Sequence, residues 1–435
     1  MQTHFTDAQL AKPHIAEADK ILRACVHCGF CTATCPTYVL TGDERDSPRG
    51  RIWMMRDMLE SDAPATEQTA HHIDRCLTCL SCMTTCPSGV DYMHLVDIGR
   101  AHIEKTRKRP LFDRLARRIL GLIVPRAWLF HLALRMARLS RPFAALLPKP
   151  FSAMVELAPK KMAKLDEIGA SDEVFTPEGM REGTLNKRVI LLAGCAQRAL
   201  DPGINAATIR LLNRAGVEVI VKQQASCCGA LAHHINQQDA AHAQMRATVA
   251  SWSEEMDAKR IDAVIVNTSG CGTTIKDYGK LLKNDLDLSD KAARISDLAM
   301  DITEFLASLP TLPFKEAKSL KVGYHAACSL QHGQKVVDAP KQLLQRAGFK
   351  ISMAKEAHLC CGSAGVYNVL QSDLASQLKD RKVKNLNAMD VDVIVAGNIG
   401  CINQMSEADA PICHTVQLLD WATGGPKPEI LSTLD

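Results

Sequence analysis

Several things are missing from this 435-residue sequence, and each absence narrows what it can do. No convincing G-x-G-x-x-G follows a strand-like run, and there is no P-loop and no H-E-x-x-H. Hydride chemistry on a bound cofactor is therefore expected on another polypeptide, most simply one holding a flavin. No run reaches the ~18 uncharged apolar residues of a transmembrane helix. The opening "MQTHFTDAQLAKPHIAEADK" lacks the apolar segment of a signal peptide. Without export a disulfide framework is not expected, and the reducing cytoplasm is. Acidic residues are nearly absent between Lys105 and Lys164, where only Asp113 and Glu156 stand against 15 Lys and Arg, a local charge of +13. The whole chain carries +4, so the rest sums to −9. Such a segment suits an anionic surface, and peripheral membrane contact is expected there rather than nucleic acid.

Cysteine, by contrast, is abundant: 17 residues, grouped as eight in 25–86, four in 195–271, four in 328–401, and Cys413 alone. Grouping of this kind points to metal or redox centres. "CVHCGFCTATCP" supplies Cys25, Cys28, Cys31 and Cys35; "CLTCLSCMTTCP" supplies Cys76, Cys79, Cys82 and Cys86. Both are C-x2-C-x2-C-x3-C-P, the bacterial ferredoxin run, whose fourth cysteine ligates the other cluster in two-cluster proteins. By that pattern one 4Fe–4S cluster takes Cys25, Cys28, Cys31 and Cys86, and the other takes Cys76, Cys79, Cys82 and Cys35. Structural zinc also uses C-x2-C pairs. It needs only four ligands, and leaves unexplained two identical four-cysteine runs that each end in proline. A zinc-stabilised docking scaffold is the reading from a different class.

After the basic stretch the sequence repeats. Cys195, Cys227 and Cys271 recur as Cys328, Cys360 and Cys401 at offsets of 133, 133 and 130, and Cys228 recurs as Cys361. "LLNRAGVEVI" answers "LLQRAGFKIS". Each copy opens on a strand-like segment and carries another before its last cysteine, with helical sequence between, which reads as an α/β unit with a mainly parallel sheet. Cysteines at the carboxyl ends of such strands converge on one edge. Adjacent Cα atoms lie ~3.8 Å apart, closer than the ~4.4 Å a disulfide usually wants, so neither Cys-Cys pair is expected to close on itself. The fold class expected is multidomain α+β. A helical two-cluster ferredoxin domain (1–104) precedes a basic amphipathic helical segment (105–165) and two cysteine-rich units (166–316 and 317–435). In the basic segment Leu111, Leu115, Ile119, Leu122 and Ile123 fit one helical face and Arg114, Arg117 and Arg118 the other. A second helix sets His131, Arg135 and Arg138 apart from Trp128, Leu129, Leu132 and Met136. Two helices packing their apolar sides on their own domain is one expectation, and a surface-docking role is the other.

The ferredoxin pair followed by two Cys-Cys-Gly repeats resembles the iron–sulfur subunit of glycolate oxidase. Subunits of anaerobic glycerol-3-phosphate dehydrogenase and heterodisulfide reductase are wider relatives. The resemblance rests on "HCGFCTATCPTYVLTGDERDSPRGRI", "DRCLTCLSCMTTCPSGVDY", "ASCCGA", "SGCGTTIKDYG" and "AHLCCGSAGVYNVL", and runs from about residue 20 to the C-terminus. It implies a complex with FAD-bearing partner subunits that oxidises glycolate, and often D-lactate, to the 2-oxo acid. It also implies that electrons leave to a quinone of the respiratory chain, with the subunit peripheral on the cytoplasmic face of the inner membrane. The equivalent subunit for lactate or glycerol 3-phosphate is the alternative. Heterodisulfide reductase relatives end each repeat in C-x-x-C; here the endings are Cys271-Gly-Thr-Thr274 and Cys401-Ile-Asn-Gln404. Four cysteines per copy remain, and an additional cluster on Cys195, Cys227, Cys228 and Cys271 or on Cys328, Cys360, Cys361 and Cys401 competes with buried structural thiols. The second copy alone has flanking histidines, His325 and His332, which makes it the favoured holder. Cys413 is expected to be a buried apolar thiol.

Overall fold

The computed structural model describes residues 1–159, 161–178, 187–315 and 320–432; the expected boundary between 316 and 317 lies outside them, as does Lys160 of the basic stretch. Residues 1–106 are helical. The main helices are Pro13–Ala24, Pro48–Ser61 and Tyr92–Thr106, with proline at the first turn of the first two, where no backbone donor is needed. Their inward faces (Ile21, Leu22, Met55, Leu59, Leu95, Ile103) form one apolar core that reaches Cys25, Cys76 and Cys82. The core thus fixes the cysteine loops at its rim.

Two parallel sheets follow. The first has strands β1 (Glu173–Phe175), β2 (Lys187–Leu191), β3 (Val217–Val221), β4 (Ala263–Val266) and β5 (Ala299–Asp301) in the order β1-β3-β2-β4-β5, with only β1 antiparallel. The second has β6 (Lys321–His325), β7 (Lys350–Ser352), β8 (Val393–Ala396) and β9 (Ile412–His414) in the order β7-β6-β8-β9. Substituting 6, 7, 8 and 9 for 2, 3, 4 and 5 turns β3-β2-β4-β5 into the second order, so the sequence repeat is a repeat of topology to which the first unit adds the antiparallel edge strand β1. Strands such as "VIL" and "AVIV" are apolar throughout because both faces are covered. The two units share one core through Val189, Phe305, Val322, Leu344 and Val416. A buried Asp420 on the last helix of the second unit takes Arg210 and Arg214 from the first. Cys413 lies in that shared core, as expected, and burial pushes its thiol up to about 12.

The basic segment folds as helices Leu111–Ile123 and Ala127–Leu139, laid across the repeats. Here the structure departs from the packing expectation. The side each helix turns inward mixes small and larger residues: Ala116, Leu120, Gly121 and Val124 in the first, Ala127, His131 and Leu134 in the second. Gly121 admits the Gln237 amide, which donates to the Arg117 carbonyl at 2.8 Å. Of the side expected to pack, Leu111, Leu115, Leu122, Trp128, Leu132 and Met136 face outward, while Ile119, Ile123 and Leu129 are half-buried. Arg117 is buried and paired with Asp113 at 3.0 Å rather than displayed.

Candidate metal centres

Cys25 ends the first long helix and Cys35 caps the helix Pro36–Thr41; between them the loop turns through left-handed His27 and Gly29. In the second run Thr78 and Leu80 take the left-handed turns, and Cys86 closes the short helix Ser81–Thr85. Each run therefore curls three cysteines around a hollow and sends its fourth away. Two cavities result. One is lined by Cys25, Cys28 and Cys31 together with Cys86 and Cys82 of the other run. The second is lined by Cys76, Cys79 and Cys82 together with Cys35. None of the eight is in a disulfide.

The two hollows differ in their surroundings. The first is open: Cys28 is exposed, and Phe30 beside it is 63% exposed. The second has more deeply buried cysteines, Cys35, Cys76 and Cys82, and is ringed by donors. Arg51, 1% exposed, reaches Cys35 Sγ at 3.8 Å and is held by the His72 carbonyl, Thr37 and Asp46. Arg100 donates to the Cys76 carbonyl at 2.7 Å, and the Tyr92 hydroxyl lies 3.7 Å from Cys76 Sγ. Burial alone would push the Cys76 thiol up, yet Arg51 and Arg100 bring it below the ordinary cysteine value. Burial pushes Cys31 up to about 11 and raises Cys79 and Cys82 well above the usual range. Eight reduced, converging sulfurs in two sets of four fit two 4Fe–4S clusters.

The repeat cysteines sit where parallel sheets place their sites. Cys195 follows β2, Cys227 and Cys228 follow β3, and Cys271 lies in the helix after β4; Cys328, Cys360, Cys361 and Cys401 take the same places around β6, β7 and β8. Gly229 and Gly362 both have positive φ, and a Cβ on Gly362 would stand 2.6 Å from the Ala375 carbonyl oxygen. Only glycine turns the chain away behind the pair. The copies meet along their seam, where Ser269 Oγ and Ser329 Oγ are 2.7 Å apart.

Their chemistry diverges. In the first copy Cys227 is pulled down by its contact with Cys195, but Cys228 and burial win and leave it at about 12. Around it stand Gln244, Thr248 and Tyr278, and Arg198 acts electrostatically on Cys195. In the second copy Cys328 and Cys360 sulfurs are 3.6 Å apart and Cys361 and Cys401 sulfurs 3.4 Å apart. His325 shares a ligand-sized cluster with Cys361 and Cys401, all within 4.8 Å. Lys382, buried, donates to the Glu356 carbonyl at 2.9 Å and interacts electrostatically with all four sulfurs. At the pair's offset of 133 the first copy has Val249. His332 points elsewhere: its ring meets Thr84 at 2.8 Å and the His358 carbonyl at 3.2 Å. Of the two flanking histidines, only His325 joins the sulfurs.

The second copy also abuts the second hollow. Leu77, Cys79, Cys328, Cys360 and Tyr367 belong to one apolar cluster, and the Tyr367 hydroxyl donates to the Arg75 carbonyl at 3.0 Å. Sequence reasoning missed Arg51, Arg100 and Lys382. Aligning the two copies at the Cys-Cys offset would have flagged Lys382 as a charge replacing valine.

The chain matches the 4Fe–4S dicluster domain family over residues 21–90 and the cysteine-rich domain family over 189–276 and 322–406. It is 40% identical to the glycolate oxidase iron–sulfur subunit of Escherichia coli K12, across 97% of this chain and 99% of that one. It is 29% identical to the probable glycolate oxidase iron–sulfur subunit of Bacillus subtilis 168, across 88% and 87%. Lactate utilization protein A of Geobacillus sp. WCH70 is 24% identical over 49% of this chain and 89% of its own length. Among solved structures, a hypothetical protein from Helicobacter pylori shares the fold, with a TM-score of 0.55 at 10% identity, across 97% of this chain and 74% of that one.

Proposed function

This chain belongs to the family of glycolate oxidase iron–sulfur subunits, and from that membership we propose that it serves a flavin-dependent complex oxidising glycolate to glyoxylate. FAD sits on partner subunits, and a quinone of the membrane respiratory chain takes the electrons. The subunit is cytoplasmic and peripheral on the inner membrane; among the described residues no helix is long and apolar enough to cross it. Cys25, Cys28, Cys31 and Cys86 hold one 4Fe–4S cluster; Cys76, Cys79, Cys82 and Cys35 hold the other. What carries this reading is the crossing: each hollow is completed by a cysteine from the opposite run. Bound there, such clusters supply one-electron transfer. The chain's own residues hold the ligands, Arg51 and Arg100 offset the charge of the Cys76 thiolate, and the Tyr92 hydroxyl donates to it. The domain division runs 1–104, 105–165, 166–316 and 317–435.

The second cysteine-rich unit holds a further centre on Cys328, Cys360, Cys361 and Cys401, with His325 alongside. Lys382, buried beside the four sulfurs, and a Cys361 thiol held well below the usual range by Cys360 and Cys401 favour a thiolate at Cys361, whereas in the first copy contact with Cys271 and burial raise Cys228 well above it. Similarity to lactate utilization proteins over half the chain keeps lactate as a second substrate reading. The test is anaerobic co-purification from the native host, iron analysis, EPR of the dithionite-reduced protein, and a dye-linked assay with several 2-hydroxy acids. Expected are flavin-bearing partners, glycolate activity and more than eight irons per chain. The excess should be lost when Cys360 and Cys361 become Ser. A correctly folded, EPR-silent, zinc-loaded protein would leave the docking-scaffold reading standing instead.

A further inference from the structure

The outward faces of the two linker helices have no counterpart elsewhere among the described residues. Eleven of the 19 exposed large apolar side chains among the described residues fall between Leu111 and Leu147. Their spacing is regular. Leu111, Leu115, Arg118 and Leu122 stand at i, i+4, i+7 and i+11 of the first helix; Trp128, Leu132, Arg135 and Leu139 repeat that spacing in the second. On a helix these steps return to one stripe. Leu111 is 68% and Trp128 61% exposed, so neither stripe is covered by the rest of the described residues.

The charge on this surface is as one-sided as its apolarity. The side chains of Arg114, Arg118, Arg135 and Arg138 are exposed and, among the described residues, form no hydrogen bond or ion pair. Several other cations of the segment are engaged: Arg109 with Asp74 and Glu104, Arg117 with Asp113, Lys149 with Asp373. Of the two acids, Asp113 is held by Arg117, which leaves Glu156. A soluble monomer rarely leaves so many large apolar groups together in water. Protein interfaces pair their charges; four free guanidiniums set among leucines and a tryptophan instead match a leaflet. There the apolar stripe enters the acyl boundary while the arginines extend to anionic headgroups.

We propose that the helices Leu111–Ile123 and Ala127–Leu139 lie in the interface of an anionic phospholipid membrane, with the Leu111–Leu122 and Trp128–Leu139 stripes inserted. This rests on the peripheral-membrane part of the proposed function and deepens it by naming the surface, while its test is separate from the electron-transfer part: lipid binding needs neither substrate nor partner.

The experiment uses the full chain, purified anaerobically, in co-sedimentation with phosphatidylglycerol–phosphatidylethanolamine vesicles and with phosphatidylcholine vesicles. The wild type should sediment with the former, and a bound fraction should survive salt that screens the arginines. Trp128 emission should shift to the blue on binding, and W128F should lose that shift. The variant L115S/L122S/L132S/L139S should lose at least tenfold in binding and keep nothing at high salt. The variant R114Q/R118Q/R135Q/R138Q should lose the preference for anionic lipid. Both should keep the visible absorption of the wild type, which shows that they fold. Failure of the wild type to bind anionic vesicles overturns the proposal. So does full binding by both variants. A serine variant that still binds vesicles but sheds its partner subunits would make this face a protein interface instead.

Discussion

His94 ties the ferredoxin domain to the first repeat, and its titration should be measurable at that seam. Its Nδ1 meets Asp91 at 2.7 Å on its own helix, and its Nε2 meets Asp277 at 3.0 Å across the seam. Lys280 joins the same Asp91 at 2.9 Å and also Glu17, while His233 from the repeat meets Asp97 at 3.1 Å. Burial alone would lower the pKa of His94, but the two carboxylates outweigh it and raise it from 6.5 to about 9. The folded pKa lies above the unfolded one. The protonated ring therefore stabilises docking fully below about pH 6.5, and that contribution disappears as pH rises through about 9. At ~1.4 kcal/mol per unit the ceiling is ~3 kcal/mol. The side chain is 13% exposed, and Asp91 shares the same interaction, so ~2 kcal/mol is a fair working value. That is about 30-fold in a local opening constant. The chain has several domains, so a single unfolding free energy is ill defined, and hydrogen exchange of residues 92–106 and 277–283 is the better assay. His94→Gln mimics the neutral ring. At pH 6.0 the wild type should be about 30-fold better protected than the variant there, with the gap closing by pH 9.5. A gap that is equal at both pH values, or absent at pH 6.0, refutes the reasoning.

Other outcomes follow from the same contacts. Cys86→Ser should perturb the spectroscopic signature of the centre held by Cys25, Cys28 and Cys31, although Cys86 belongs to the other run; damage confined to the Cys76 run would show that the ligands do not cross. Gly362→Ala places a Cβ against the Ala375 carbonyl at positive φ, which should cost ~2–4 kcal/mol. The loss should fall on the second repeat's iron, whereas Gly89→Ala, with open space around it, should cost ~1 kcal/mol on thermal denaturation. Lys382→Met should reduce iron bound beyond the first eight atoms while leaving those eight in place. Iron content unchanged by this variant would remove the charge-compensation account of the second copy.

The sequence alone determined what depends on covalent spacing. Two C-x2-C-x2-C-x3-C-P runs place three sulfurs within one turn of chain and a fourth beyond proline, so the ferredoxin hollows were legible as spacing. The offset of 133 was legible as a repeat, and alternating apolar runs and helical stretches as parallel α/β units. Tertiary structure decided the rest, because it depends on which surfaces meet. Cys227 and Cys360 look equivalent along the chain, yet only the second pair packs against the second ferredoxin hollow and only it faces Lys382, from a helix that begins ten residues earlier. The basic helices show the same limit more sharply. Periodicity shows that Leu115 and Leu122 share a face, but not which way that face points. Gly121 and Ala116 allow close approach to the repeats, so the side that carries them packs inward and the side of Leu115 and Leu122 is left for a surface the described residues do not contain.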